Sequence, residues 1–126
     1  MSEPDNLLFT NDHEWVRVEG DTVVIGITDY AQEALGDVVF VQLPTPNDTV
    51  SANSTLSEVE STKSVSDIYA PVSGTVVEVN EALSSKPELV NSSPYQEGWI
   101  AVLRMSNSSE LENLLSADEY RQLIDK

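Results

Sequence analysis

The sequence predicts a mainly β fold, in which two β-sheets pack together and short helices lie inside the chain and at its C-terminus. Short segments rich in β-branched residues, separated by Gly, Pro and Asn, recur over the first two-thirds of the chain. A six-residue pattern, G-x-V-V-x-V, occurs at 36–41 and again at 74–79. Beyond residue 108 the apolar residues change to a helical spacing. These observations together favour a small sandwich closed by C-terminal helices.

The first strands are predicted to form a hairpin. Large apolar residues alternate with others over 15–18, and 22–25 is a β-branched run that can form the second arm. Gly20 and Asp21 lie between them and are typical turn residues.

A short helix is predicted over 29–35. Thr28 can cap its first turn with its hydroxyl group, and Gly36 is suited to end it. The β-branched run 38–41 then predicts a strand, which the Pro- and Asn-containing segment 44–48 interrupts.

The repeated pattern indicates two similar half-sheets that face each other, unless so short a repeat has arisen by chance. Between its copies, 36–41 and 74–79, lie an alternating strand at 56–59, a polar tip and a second apolar segment at 68–71. We therefore expect a protruding hairpin over about 56–70.

The C-terminal third begins with a last predicted strand at 98–103. Two S-x-x-E sequences follow, at 109–112 and 116–119, and both match the capping box that starts a helix. We expect a helical segment over about 109–125, which closes one side of a sheet.

Length and composition limit the possible functions. The chain has 126 residues, of which 40% are hydrophobic, so 1–126 is expected to form one domain with a substantial core. Its 22 acidic and 6 basic residues give a formal charge of −16. Such a surface repels phosphate, which argues against nucleic acid and against an anionic membrane as partners. It would attract a protein with a basic docking face, although the acidity could also serve solubility alone.

The absence of cysteine excludes disulfides, thiolate catalysis and Cys-type zinc sites, so any redox chemistry must come from a bound group. No apolar run approaches the length of a membrane span of about 20 residues. The first five residues include two acidic side chains, Glu3 and Asp5, and no basic one, whereas secretory and mitochondrial leaders begin basic. We expect a cytoplasmic protein of bacterial type, or a mitochondrial matrix protein if the chain is a processed eukaryotic one.

Lys63 is the most informative residue, because it is the only basic residue between Val18 and Ser85 and one of three lysines in the chain. Its neighbours are small or acidic: Glu58, Glu60, Ser61, Thr62, Ser64, Ser66 and Asp67. A lysine that carries a covalent group into another enzyme needs such an exposed tip with small neighbours, and lipoamide is one of the group carriers used in this way. The alternative is a lysine that protects a sheet edge from aggregation.

The segment around this lysine resembles the lipoylation segment of glycine cleavage H proteins, E-S-x-K-x-x-S-D. Here it reads Glu60-Ser61-Thr62-Lys63 with Ser66-Asp67. The resemblance extends over nearly the whole chain, through the motifs His13-Glu14-Trp15, 26–32, 35–41, 43–44, 70–74, 79–80, 87–92, 94–95 and 98–100. Several independent motifs in the same order make this resemblance specific.

The resemblance implies a barrel-sandwich hybrid of two β-sheets, with lipoate attached covalently to Lys63 on a hairpin. It also implies a carrier that catalyses no reaction of its own. The carrier would take the aminomethyl group of glycine from a pyridoxal-phosphate decarboxylase (P protein) to a tetrahydrofolate-dependent aminomethyltransferase (T protein). Dihydrolipoamide dehydrogenase (L protein) would reoxidise it, and a lipoate ligase or lipoyl transferase would attach the cofactor. We expect a monomer, because the arm must reach several partners.

The resemblance also implies a role for two carboxylates. One lies in the H-E-W motif and the other shortly after the lysine, and they correspond to Glu14 and Asp67. Near the cleft that shelters the loaded arm, they would hold the cationic aminomethyl group and help to exclude water. The alternative is that both are ordinary surface acids.

Other functions remain open from the sequence. A biotin carrier usually has methionine on both sides of its lysine, whereas Thr62 and Ser64 flank Lys63. A lipoyl domain of a 2-oxoacid dehydrogenase is usually shorter and has D-K-A at its tip. An H-like lipoyl relay protein in lipoate metabolism would use the same lysine, and a structural adaptor is also possible. An enzyme would need more than the single histidine, His13, which follows Asp12 without an evident nucleophile or metal-ligand cluster.

Overall fold

The computed structural model describes residues 7–124, and within that range the chain forms two antiparallel β-sheets with short helices. The strands are β1 (Leu8–Phe9), β2 (Glu14–Glu19), β3 (Thr22–Ile27), β4 (Val38–Gln42), β5 (Thr49–Val50), β6 (Thr55–Ser61), β7 (Val65–Tyr69), β8 (Gly74–Val79) and β9 (Ala101–Met105). The helices are α1 (Asp29–Leu35), α2 (Ala82–Ser85), α3 (Leu89–Ser92), a 3₁₀ helix (Ser108–Asn113) and α4 (Ala117–Ile124). The larger sheet has the order β1-β2-β3-β9-β8-β5 and the smaller has the order β4-β6-β7. The predicted fold class is therefore confirmed.

The main core lies between the two sheets. Its buried side chains include Val16, Val23, Ile25, Val76 and Leu103 from the larger sheet, and Val38, Val41, Leu56, Val59 and Ile68 from the smaller. The opposite face of the larger sheet is also covered, because Trp15 and Val24 pack there with Ala117 and Tyr120 of α4. The alternation of β3 explains both contacts, since successive side chains in a strand point to opposite faces.

The two copies of the repeated pattern form β4 in the smaller sheet and β8 in the larger. In β4 the pairing with β6 shifts register between Val38 and Phe40, and in β8 the pairing with β9 shifts between Val76 and Glu78. Both strands thus have one extra residue, a β-bulge, at the same position of the pattern. The repeat corresponds to a shared backbone feature in both sheets.

The predicted helix 29–35 forms with the predicted caps. The Oγ1 of Thr28 accepts a hydrogen bond from the backbone N–H of Ala31 at 3.2 Å. Gly36 ends the helix with a φ of 85°, and its N–H donates to the carbonyl of Gln32. This conformation favours glycine because a Cβ atom would strain it.

The C-terminal helices form, but one of the two predicted capping boxes is wrong. Ser116 and Glu119 bond each other's backbone N–H groups through their side chains, as a capping box requires. Ser109 does not cap the earlier helix; Asn107 does, and its Oδ1 accepts from the N–H of Ser109 at 3.1 Å. Residue 125 of the predicted segment lies outside the described residues, as do 1–6 and 126.

The last strand starts later than the predicted 98–103, at Ala101. The reason is the side-chain amide of Asn80, which donates to the carbonyl oxygens of Glu97 and Trp99 at 2.7 and 2.8 Å. The N–H groups of Gly98 and Trp99 also bond outside the sheet, to the carbonyls of Ser93 and Gln96, so pairing with β3 begins only at Ile100. Four elements were not predicted, and each has only two to four residues: α2, α3, β1 and β5.

Candidate functional site

Lys63 lies in the tight turn that joins β6 to β7. The N–H of Ser61 donates to the carbonyl of Ser64 at 2.8 Å, which closes the turn. The Oγ of Ser61 accepts from the N–H groups of both Lys63 and Ser64, each at 3.1 Å. The N–H of Thr62 donates to the carbonyl of Asp37 at 3.0 Å and so ties the turn to the start of β4. The backbone that carries Lys63 is therefore fixed by local hydrogen bonds.

The side chain of Lys63 is exposed, and none of the residues described by the structure forms an ion pair with it. Its methylene stem passes over Gly36, where a Cβ atom would lie 3.0 Å from the Cε of Lys63 and 3.8 Å from its Nζ. An exposed amine that makes no ion pair within residues 7–124, on a turn with small neighbours, is accessible to an enzyme that modifies it. These features fit a residue that bears a covalently attached group.

A cleft of about 170 Å³ opens between α1, β7 and the loop before β2. Asp67 lines it from β7, Tyr30 and Leu35 line it from α1, and Asp12 and His13 line it from the loop. Asp67 is exposed, so its carboxylate faces the solvent at the mouth of the cleft. The cleft combines an apolar wall with acidic groups, a combination suited to a chain that is apolar along its length and cationic at its end.

Glu14 faces a different cavity. Its side chain is 1% exposed, and one carboxylate oxygen accepts from the Thr10 hydroxyl at 2.8 Å while the other accepts from the N–H of Tyr69 at 2.9 Å. Burial raises the pKa of Glu14 to about 7, although these two hydrogen bonds lower it. The cavity beside it, of about 300 Å³, is also lined by Asp12 and by Glu110.

The structure therefore brings Lys63 and Asp67 together on one hairpin, but places Glu14 and Asp67 in two neighbouring cavities. Asp12 lines both cavities. The carboxylate of Glu14 nevertheless contacts β7, because it accepts a hydrogen bond from the N–H of Tyr69. Tyr69 lies two residues after Asp67 on that strand.

His13 is a structural residue of the loop that separates the two cavities. Its Nδ1 lies 2.8 Å from the Tyr120 hydroxyl, which in turn lies 2.7 Å from Oγ1 of Thr28. Burial lowers the pKa of His13, while the nearby Asp12 raises it. The ring also packs against Tyr30, with 4.7 Å between the ring centroids. These contacts hold the loop between α1 and α4.

Asn91 is a residue of the site that was not predicted; its side chain connects α3 to the end of α1 and the start of β4. Its Nδ2 donates to the carbonyl of Gly36 and to Oε1 of Gln32, both at 2.9 Å, and its Oδ1 accepts from the N–H of Val38 at 2.8 Å. No local pattern identifies such a residue, because its partners lie more than fifty positions earlier in the chain.

Residues 7–124 lack two features that would point to other functions. No helix in this range is long and apolar enough to cross a membrane. The same range contains no group of three or more His, Cys, Asp or Glu side chains that could hold a metal ion.

Comparison with known proteins gives a consistent result. The sequence model of the glycine cleavage H-protein family matches residues 7–126. The glycine cleavage system H protein of Geobacillus kaustophilus is 55% identical over 126 residues, which are 100% of this chain and 99% of that protein. The protein of the same name from Staphylococcus carnosus is 52% identical over 124 residues, 98% of each chain. A crystal structure of a glycine cleavage system H protein from Mycobacterium marinum superimposes with a TM-score of 0.90 at 43% identity, and covers 98% of this chain and 100% of that one.

Proposed function

The chain belongs to the glycine cleavage H-protein family and acts as a carrier in glycine cleavage, and we propose that Lys63 is the residue at which it bears a covalent lipoyl group. The observation that carries this proposal is the position of Lys63, whose exposed amine projects from a turn with a hydrogen-bonded backbone. A fixed base limits the volume that a flexible arm explores, which raises its effective concentration at a docked enzyme.

The attached lipoyl group would supply the disulfide and dithiol chemistry that this cysteine-free chain lacks. The chain itself would catalyse no reaction. Its contribution is to present Lys63, to offer a cleft beside it and to dock on other proteins. The partners that we propose are the glycine decarboxylase, the aminomethyltransferase, dihydrolipoamide dehydrogenase and a lipoate ligase or lipoyl transferase. The relatives compared above are bacterial, which supports a bacterial cytoplasm as the place where these partners meet.

We further propose that Asp67 contacts the cationic aminomethyl group when the arm folds back. Asp67 lies four residues after Lys63 and lines the adjacent cleft, where a carboxylate can accept a charge-assisted hydrogen bond from an amine. Glu14 is proposed as a second contact, from the neighbouring cavity that Asp12 also lines. With its pKa near 7, Glu14 would carry a full negative charge only above neutral pH.

The experiment that tests the attachment site is intact mass after incubation with a lipoate–protein ligase, lipoate and ATP. The parent protein should gain one lipoyl group and Lys63→Ala should gain none. Lys86→Ala is the matched control, because Lys86 is also an exposed lysine, and it should gain one group like the parent. A folded parent that gains no group with an active ligase, or a Lys63→Ala variant that still gains one, would overturn the proposal.

A further inference from the structure

Large apolar side chains are exposed around the Lys63 turn. Among the residues that the structure describes, the exposed large hydrophobic residues are Val18, Tyr30, Val39, Phe40 and Val65. Val65 begins β7 directly after the turn and is 58% exposed, while Val39 and Phe40 lie on β4, the opposite edge strand of the same sheet. Tyr30 lines the cleft beside Asp67. Only Val18, on β2 of the larger sheet, lies elsewhere.

The strand register brings these side chains into one surface. Phe40 pairs with Glu60, and Glu60 pairs with Val65, so the three form a row across the smaller sheet. The adjacent pair, Glu58 with Asp67, adds acidic groups beside that row. Residues paired in this way point to the same side of a sheet. We call this surface the outer face; it consists of Val39, Phe40, Glu58, Glu60, Val65 and Asp67.

The bulge in β4 is what places Phe40 on the outer face. In regular alternation Val38 and Phe40 would point to the same side, but the extra residue at Val39 leaves Val38 and Val41 in the core and both Val39 and Phe40 exposed. The equivalent bulge in β8 puts Glu78 at the matching exposed position. Since the same backbone feature accepts a charged residue there, the fold does not require an aromatic residue at position 40.

The apolar side chains of the outer face stand among acidic ones. Glu58, Glu60 and Asp67 belong to it, and the exposed Asp37 precedes β4. The only basic side chain between Val18 and Ser85 is Lys63, which loses its charge when its amine is acylated. A second copy of the chain, with its formal charge of −16, would be repelled. Phe40 and Val65 on either side of Glu60, with Glu58 and Asp67 beside them, instead fit a partner that presents apolar depressions next to Lys and Arg side chains.

We propose that the outer face is the surface on which the glycine-decarboxylating enzyme docks, with Phe40 and Val65 as its apolar contacts. This inference rests on the proposed function, since an enzyme that admits the arm of Lys63 must also cover the residues next to the turn. Phe40 is the anchor, because it is the one aromatic side chain of the outer face and aromatic side chains are enriched in the buried part of interfaces. The acidic residues between and beside these apolar side chains accelerate and orient the encounter.

The test uses carriers loaded with the lipoyl group, each verified by intact mass, so that a loading defect is seen before docking is measured. Release of carbon dioxide from glycine by the decarboxylase is followed as a function of carrier concentration. The variants are Phe40→Thr, Val65→Thr and the double variant. Threonine is chosen because it removes the large apolar side chain but favours the β conformation. Val18→Thr is the matched control, because Val18 is 42% exposed in a strand of the other sheet.

We expect the double variant to raise the KM for the carrier about tenfold, with kcat within about twofold of the parent, because only binding is affected. Val18→Thr should keep the parental KM, and added salt should raise the KM of the parent. A double variant with the parental KM would overturn the proposal. A different result would overturn it as well: the parent sediments as a dimer, the double variant sediments as a monomer, and the KM is unchanged. A second copy of the chain would then cover the outer face. A loaded parent that supports no carbon dioxide release would instead refute the proposed function.

Discussion

Asn91 and Gly36, which are 55 positions apart, are joined by a hydrogen bond from the side-chain amide of Asn91 to the carbonyl oxygen of Gly36. The bond fixes the C-terminal end of α1 at the point where the stem of Lys63 passes over it. The same amide nitrogen of Asn91 also donates to Gln32, and its oxygen accepts from the N–H of Val38. One side chain therefore holds α1, α3 and β4 together.

Replacement of Asn91 should destabilise the protein. Asn91→Ala removes three hydrogen bonds and leaves partly buried groups of Gly36 and Val38 without partners, which should lower the free energy of unfolding by about 1–3 kcal/mol. Urea unfolding measures the change. Asn11→Ala is the control, because Asn11 is exposed and should alter stability by no more than about 0.5 kcal/mol. Equal stabilities of the two variants would contradict the assigned role of Asn91.

The backbone of Gly36 gives a second prediction. Its φ of 85° and ψ of −160° lie in a region that essentially only glycine adopts, so Gly36→Ala should cost about 1–3 kcal/mol in the free energy of unfolding. Contact with Lys63 contributes little, because a flexible side chain can move aside. The double variant Gly36→Ala with Lys63→Ala should therefore remain as unstable as Gly36→Ala alone when both are measured by thermal unfolding. Recovery of stability in the double variant would show instead that the contact dominates.

Burial of Glu14 predicts a pH dependence of stability. Because its pKa rises from 4.5 to about 7 on folding, the folded state keeps a proton that the unfolded state has already lost. The contribution of Glu14 to stability is therefore lost as pH rises from about 4.5 to about 7, and the shift corresponds to about 3 kcal/mol.

Glu14→Gln should lack this dependence. Its matched control is Glu112→Gln, which makes the same change of charge at an exposed position and retains Glu14. Between pH 4.5 and 7, the free energy of unfolding of Glu14→Gln should rise relative to that of the control by about 3 kcal/mol. Parallel pH profiles of the two variants would show that Glu14 titrates with an ordinary pKa.

The cleft beside Lys63 leads to a prediction about the carried group. Asp67→Asn should increase the rate at which the aminomethyl group is lost to water about tenfold, because a charge-assisted hydrogen bond is replaced by a weaker neutral one. Intact mass over time measures this loss in the isolated carrier. Glu58→Gln is the control, since Glu58 pairs with Asp67 across the strands but does not line the cleft. The same measurement tests Glu14. If Glu14→Gln loses the aminomethyl group at the parental rate, Glu14 does not contact that group.

The sequence predicted those elements whose signals are local. Thr28 and Gly36 flank a helix because a hydroxyl cap and a positive φ act within one turn. The prediction was wrong for the box at Ser109, because Asn107 offers the same kind of cap two residues earlier. The prediction also began the last strand too early. The side chain of Asn80 donates to the carbonyls of Glu97 and Trp99, and no sequence pattern reveals contacts between residues so far apart in the chain.

The sequence by itself determined the β character of the chain, the capped helix α1 and an isolated lysine in a polar hairpin, since alternation, turn residues and caps depend on near neighbours. Only the tertiary structure decided that Glu14 is buried against Tyr69, that Asp67 lines a different cavity and that Asn91 supports Gly36. These features depend on which distant segments pack together and exclude water. That is why the pKa of a carboxylate and the partners of an amide follow from the fold and not from the local sequence.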